Sequence, residues 1–179
     1  MKHSRKSLLR LSGILVFLIG TVSTAHSAVL ASDMTARGNS EMAFHGSYMM
    51  IDPDGASSAD VVSGHFDYSF FMVDNFAIRP QYQLIRFSQG PVSLTSHYLG
   101  LGLDYHIPND NFAFFFGGAP NFLIFSNGDS ETEVLVEIRG GIKHYLSERM
   151  ALNTQLSYSF GSDFNLMRLS LGLSFLFGG

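Results

Sequence analysis

The sequence predicts an all-β protein: an eight-stranded antiparallel up-and-down transmembrane β-barrel, preceded by a cleavable signal peptide. Three observations carry this. Apolar and polar residues alternate with period two from about residue 41 to residue 177, the mark of strands with two unlike faces. The polar face is built from Ser, Gly, Asn and Gln, where a water-washed exterior would carry Lys and Glu. After the N-terminal segment no apolar run approaches the ~20 residues of a spanning helix, so any membrane residence has to use strands.

Taken in order, residues 1–27 read as the signal: Lys2, Arg5, Lys6 and Arg10, then the apolar run GILVFLIG, then the small residues of TVSTAHSA. Cleavage after Ala25 or Ser27 leaves small residues at both recognition positions, with Ala31 a third choice. Residues 28–40 are small and polar, a flexible leader, and residues 41–179 are the barrel domain. Loss of the signal removes four of eleven basic residues and no acidic one, leaving seven against fifteen and a net charge of −8. That excludes nucleic acid as a partner, since its recognition needs basic patches. The chain has no cysteine, so disulfides, thiolate metal sites and cysteine nucleophiles are excluded.

The expected strands are 41–51, 60–72, 76–87, 92–107, 111–125, 132–146, 150–160 and 165–177. Tight turns fall at VDN (73–75), PND (108–110) and SER (147–149). Longer or more acidic connections fall at DPDGASSA (52–59), SQGP (88–91), SNGDSE (126–131) and GSDF (161–164). Short turns at one end and longer loops at the other fit a membrane barrel, and an even strand count returns both termini to the short-turn side.

Strand 8 shows the two faces: Leu169, Leu171, Leu173, Phe175 and Phe177 against Arg168, Ser170, Gly172 and Ser174. Strand 7 sets Leu152, Leu156, Tyr158 and Phe160 against Asn153, Gln155, Ser157 and Ser159. A soluble barrel would turn the apolar face inward; short polar side chains suit instead a narrow eight-stranded interior, which has room only for side chains.

Glu137, Arg139 and Lys143 stand at alternate positions of strand 6. Facing lipid, each basic residue would cost ~2–4 kcal/mol at mid-depth, so they are expected in the lumen. A three-residue turn at 147–149 sets Lys143 opposite Asn153, Gly141 opposite Gln155 and Arg139 opposite Ser157. The next hairpin brings Arg168 to Ser157. The expectation is a lumen network of Glu137, Arg139 and Arg168 bridged by Asn153, Gln155 and Ser157, with Asp67 diagonal to Arg79 as a second pair. Strand 5 stays open. A three-residue turn at 108–110 sends Phe114 and Phe116 inward, opposite Asp104 and Gly102; a one-residue slip inverts the strand, and the run FAFFF does not choose.

With the signal, alternating strands such as LSLGLSF and the hairpin GGIKHYLSERMALNTQLSYSF on the page, the chain resembles the small outer-membrane β-barrel proteins of Gram-negative bacteria, the OmpA-like and OmpX-like transmembrane barrels. The resemblance covers about residues 41–177. It implies residence in the outer membrane, contact with outer-membrane lipid and lipopolysaccharide, and insertion by the barrel assembly machinery. The expected state is a monomer.

No cofactor or metal site is expected. Asp52, Asp54 and Asp60, with Asp129, Glu131 and Glu133, make two acidic external loops, read as solvated because calcium-ligand spacing is missing. His45 and Ser47 echo the pair an outer-membrane lipid A deacylase would use, but Tyr48 replaces that family's Asn and parity turns both side chains into the lumen. His65, His97, His106 and His144 are scattered without ligand spacing, and Gly100 and Gly102 read as room for bulky neighbours. The function expected is a non-enzymatic outer-membrane role with a plugged polar lumen, in envelope integrity or surface interaction. Two other classes compete. A lipid A-modifying enzyme needs a His, a Ser and a carboxylate meeting at one membrane interface, and a narrow channel needs a gap in the lumen network.

Overall fold

The computed structural model describes residues 31–51, 59–125, 132–161 and 165–178. Eight strands follow a single helical turn, α1 (Ala31–Met34): β1 (Ser40–Ile51), β2 (Ala59–Val73), β3 (Phe76–Gln89), β4 (Val92–Asn109), β5 (Phe112–Phe125), β6 (Thr132–Ser147), β7 (Met150–Phe160) and β8 (Asn165–Phe177). Each strand pairs antiparallel with its sequence neighbours, and β1 pairs with β8 to close the barrel. Closure is made along Ser40–Gly46 of β1 and Leu171–Phe177 of β8, which removes the open edges of the sheet over that length. The first and last strands meet at Ser40 and Phe177, on the side of the tight turns.

The turns set the register, and through it the face each residue takes. At β2–β3 and β6–β7 a two-residue turn is joined to an irregularity one residue further in, between Phe71 and Val73 and between Tyr145 and Ser147. The net offset equals that of a three-residue turn, so Asp67 falls opposite Gln81 and diagonal to Arg79, and Lys143 opposite Asn153. At β4–β5 there is no such irregularity beside the turn: Asn109 pairs with Phe112 across Asp110 and Asn111. The three-residue turn at 108–110 is therefore corrected. Ala113, Phe115 and Gly117 point inward, and Phe114 and Phe116 outward. Asp110 takes a positive φ of 44° and Asn75 one of 66°, conformations that Asn and Asp tolerate in tight turns.

A second correction concerns SQGP. The β3–β4 ladder runs to Gln89 and Val92, leaving only Gly90 and Pro91 to turn. Gly90 has φ +56°, which a glycine adopts without steric cost. This connection is as tight as those at the opposite end. The connections 52–58, 126–131 and 162–164, with Asp52, Asp54, Asp129 and Glu131, lie outside the described residues.

Large apolar side chains cover the outside, among them Leu99, Leu101, Leu103, Ile138, Leu156 and Leu169. Aromatics sit toward both ends of this band: Phe70, Tyr105, Phe175 and Phe177 near the tight turns, Tyr48, Phe122, Tyr158 and Phe160 near the other end. The interior is filled by polar and charged groups, with apolar layers above and below. Tyr98, Leu123 and Leu135 form the layer on the loop side.

The layer at the tight-turn end includes part of the N-terminal leader. Ala31 packs with Ala113, Tyr145, Ala151 and Leu176, and Met34 lies against them. Backbone hydrogen bonds hold residues 31–39 across this end: the Ala31 amide donates to the Asp110 carbonyl at 2.6 Å, and the Asn75 amide to the Thr35 carbonyl at 2.8 Å. Gly38 and Asn39 bond Phe71 at 2.8 and 3.0 Å, in effect lengthening β1 alongside β2. The Thr35 hydroxyl donates to Asn75 Oδ1 at 2.6 Å. The segment stretches across the short-turn mouth.

Candidate functional site

The barrel interior concentrates the charge of the chain. Glu41 from β1, Asp67 from β2, Asp104 from β4 and Glu137 from β6 are buried with Arg79 from β3, Arg139 and Lys143 from β6, and Arg168 from β8. Each comes inward by strand parity, and the four carboxylates balance the four permanent cations. A buried charge is tolerated only when paired and hydrogen-bonded, so this balance is a condition of the fold.

Arg79 and Arg139 form the middle layer by clamping two carboxylates between them. Arg79 donates through Nε to Asp104 at 2.7 Å and through Nη1 to Asp67 at 3.1 Å. Arg139 approaches from the other wall, donating through Nε to Asp104 and through Nη1 to Asp67, both at 3.1 Å, and through Nη2 again to Asp104. Its Nη1 also donates to Gln155 Oε1 at 2.9 Å. The rigid guanidinium fork lets one cation hold several acceptors at once. Toward the loops, Arg168 donates to Glu137 at 2.6 Å and lies over the Tyr98 ring at 5.8 Å. Toward the tight turns, Lys143 pairs with Glu41, which also accepts from Ser174; Ser174 in turn accepts from Asn153.

The expected network is thus divided differently. Glu137 and Arg139 share a face of β6 but form no ion pair: Glu137 goes to Arg168 and approaches Arg79 at 3.7 Å, while Arg139 goes to the aspartates. Of the three bridging groups, Gln155 binds Arg139 and Asn153 binds Ser174. Ser157 lies opposite both Arg139 and Arg168 without a hydrogen bond among the described residues. Asp67 and Arg79 pair directly. Sequence reasoning left Glu41 and Asp104 out of the network. Parity in LGLDYH was the available signal for Asp104, where Gly102, Asp104 and His106 alternate with Leu101, Leu103 and Tyr105.

Phe115 explains how an aromatic belongs among these charges. Its ring centroid lies 5.1 Å from the Arg139 guanidinium carbon and 5.4 Å from Lys143 Nζ, so one ring serves two cations. Glycines make the room. A Cβ on Gly102 would stand 2.6 Å from Arg79 Nη2, and one on Gly117 would stand 1.9 Å from Asp104 Oδ1. Gly100 accommodates Asn121, which accepts a hydrogen bond from Gln81, and Gly141 accommodates the Phe115 ring.

His45 and His65 flank Asp67, with Nε2 atoms at 3.4 and 2.9 Å from its oxygens. Ser47 is hydrogen-bonded to Ser63 at 2.6 Å, and both His45 and Ser47 face the interior. His106 lies between the Phe71 and Phe115 rings, with centroids at 5.0 and 5.8 Å. His97 and His144 lie on the outer face, half-buried. Of the acidic-loop residues that are described, Asp60 is exposed and accepts the Tyr48 hydroxyl at 2.8 Å, and Glu133 is half-buried near the loop end of β6. Among the described residues no group of three or more His, Asp or Glu side chains is placed to hold a metal ion. A cavity of about 10 Å³ lies between Glu41, His45, Asp67, Phe115, Arg139 and Lys143. It has room for about one water molecule.

A closed eight-stranded antiparallel barrel, apolar outside and filled with paired charges, has the fold of the small bacterial outer-membrane barrels. Solved structures share it. The N-terminal barrel domain of Pseudomonas aeruginosa OprF matches with a TM-score of 0.54 at 18% identity, covering 79% of this chain and 98% of that one. Neisserial surface protein A matches with a TM-score of 0.61 at 13% identity over 77% and 96%. Ail, the attachment invasion locus protein of Yersinia pestis, matches with a TM-score of 0.55 at 14% identity over 79% and 99%. No family model matches the chain. No curated protein matches it either.

Proposed function

We propose that this chain is an integral outer-membrane protein with a sealed interior and no enzymatic activity, serving envelope integrity or surface interaction. The observation that carries this reading is the layered ion-pair network. It fills the cross-section from Lys143 and Glu41, through the two clamped aspartates, to Arg168 and Glu137. A space of about 10 Å³ beside it takes a water molecule but not a hydrated solute. The apolar band with aromatics toward both ends supports a lipid surround, entered from the signal segment through the barrel assembly machinery. Outer-membrane lipid and lipopolysaccharide are then the immediate neighbours, and the barrel acts as a monomer. Against an enzyme stands the inward aim of His45 and Ser47, away from any acyl chain, with each engaged by an interior neighbour.

Planar-bilayer recording tests the sealed interior. The purified protein is expected to give no resolvable conductance steps. Regular steps that vanish when the protein is omitted would contradict the proposal and favour a narrow conduit.

A further inference from the structure

Seven basic residues follow the signal segment, and four of them are buried in the lumen. Arg79, Arg139, Lys143 and Arg168 neutralise the interior. Arg37 and Arg149 are exposed at the tight-turn end, where the Arg37 backbone amide donates to Asp74 and Arg149 lies in the β6–β7 turn. The seventh, Arg86, faces outward from β3 and is exposed, and its guanidinium makes no hydrogen bond or ion pair among the described residues.

Its height is informative. A transmembrane strand crosses the hydrocarbon in about 9–11 residues. Counted from Phe76 at the tight-turn end of β3, Arg86 is ten residues further along, at the opposite boundary of the apolar band. There an outward arginine costs far less than at mid-depth, because its charge reaches the headgroups and water. Toward β4 the outward surface beside it is polar, while its neighbours Val62 on β2 and Leu84 on β3 are apolar. Arg86 pairs with Thr95 on β4, and Ser88 and Ser93 follow one step beyond. His97 is diagonal to Arg86 and is fixed by the Tyr82 hydroxyl, 2.9 Å from its Nδ1. Asp60, across β2, has its carboxylate engaged by Tyr48 and makes no ion pair with Arg86. Near the same end of β5–β8 the outward residues Phe122, Val134, Phe160 and Met167 are apolar, with Thr132 and Asn165 beyond them. The barrel wall is therefore cationic at Arg86 and polar along the adjoining end of β3 and β4, at the depth where anionic headgroups lie.

We propose that Arg86, with the immobilised His97 diagonal to it, binds the phosphate of a lipid headgroup at the loop-side surface of the membrane. The fork of the guanidinium suits a phosphate, which it can hold through two parallel hydrogen bonds. This site rests on the membrane reading above. A ligand that binds only the folded barrel raises its unfolding temperature, so the heat-induced gel shift of detergent-purified protein serves as the readout. Diphosphoryl lipid A is expected to raise the transition of the wild type, and its dephosphorylated form is not. Arg86→Gln should lose most of that rise and His97→Asn part of it, while Arg149→Gln, at the other end, keeps it. Equal rises in wild type and Arg86→Gln would overturn the site, as would the same rise from inorganic phosphate alone. Failure of the membrane reading would look different: on cell fractionation the wild-type protein would be absent from the outer-membrane fraction.

Discussion

Arg139 binds Asp67, Asp104 and Gln155 and lies against the Phe115 ring, so its removal leaves two buried carboxylates sharing the single guanidinium of Arg79. Breaking a buried pair by deleting one partner costs ~3–5 kcal/mol, because the survivor keeps its desolvation penalty and loses its compensation. Arg139→Ala is therefore expected to lower the temperature of the heat-induced gel shift well below that of the wild type. An unchanged transition would discard the network. Lys143→Met is expected to behave similarly through Glu41, whereas Arg86→Gln on the outer face should leave the transition in plain detergent unaltered. At this scale the sequence was partly legible. Alternation with Leu and Ile announced which charges of β6 turn inward, but a side chain's partner lies across the barrel, on strands whose heights a linear pattern does not relate. Glu137 and Arg139 stand two residues apart on β6 and take their partners from different strands, β3 and β8 for the first and β2, β4 and β7 for the second.

Strands were legible because each alternates over ten residues or more, and the β6–β7 register because its turn residue count and its inward residues agree. Strand β5 was not, since phenylalanine occupies both faces of FAFFF. Gly117 supplies the physical answer. Only a residue without a Cβ fits opposite Asp104, and this pairing forces Phe115 inward and Phe114 and Phe116 outward. Gly117→Ala would place a methyl carbon 1.9 Å from Asp104 Oδ1 and 2.3 Å from the Leu103 carbonyl. Overpacking of this kind costs ~1–3 kcal/mol. Gly64→Ala meets nothing within 4 Å on the outer face and should be near neutral. Chemical denaturation in detergent compares the two, and equal stability would argue for the other register of β5. The docking of residues 31–39 had no sequence signal, because the segment is held by backbone amides and carbonyls, which every residue possesses.

For the whole molecule, composition and alternation together foretold a barrel turned inside out relative to a soluble protein. Low charge, absent cysteine and a polar face of small side chains all point the same way, and the closed topology joins them into one object. Which surface meets the acyl chains is the claim from which the sealed interior and the headgroup site both follow. The chain contains no tryptophan, so single-tryptophan variants report position without background. In vesicles of lipid brominated along the acyl chains, tryptophan introduced by Leu103→Trp or Phe116→Trp should be strongly quenched, since both side chains point outward. Tryptophan introduced by Phe115→Trp, inside the barrel, should keep its fluorescence. Quenching of the variant at 115 with bright emission from those at 103 and 116 would contradict the account.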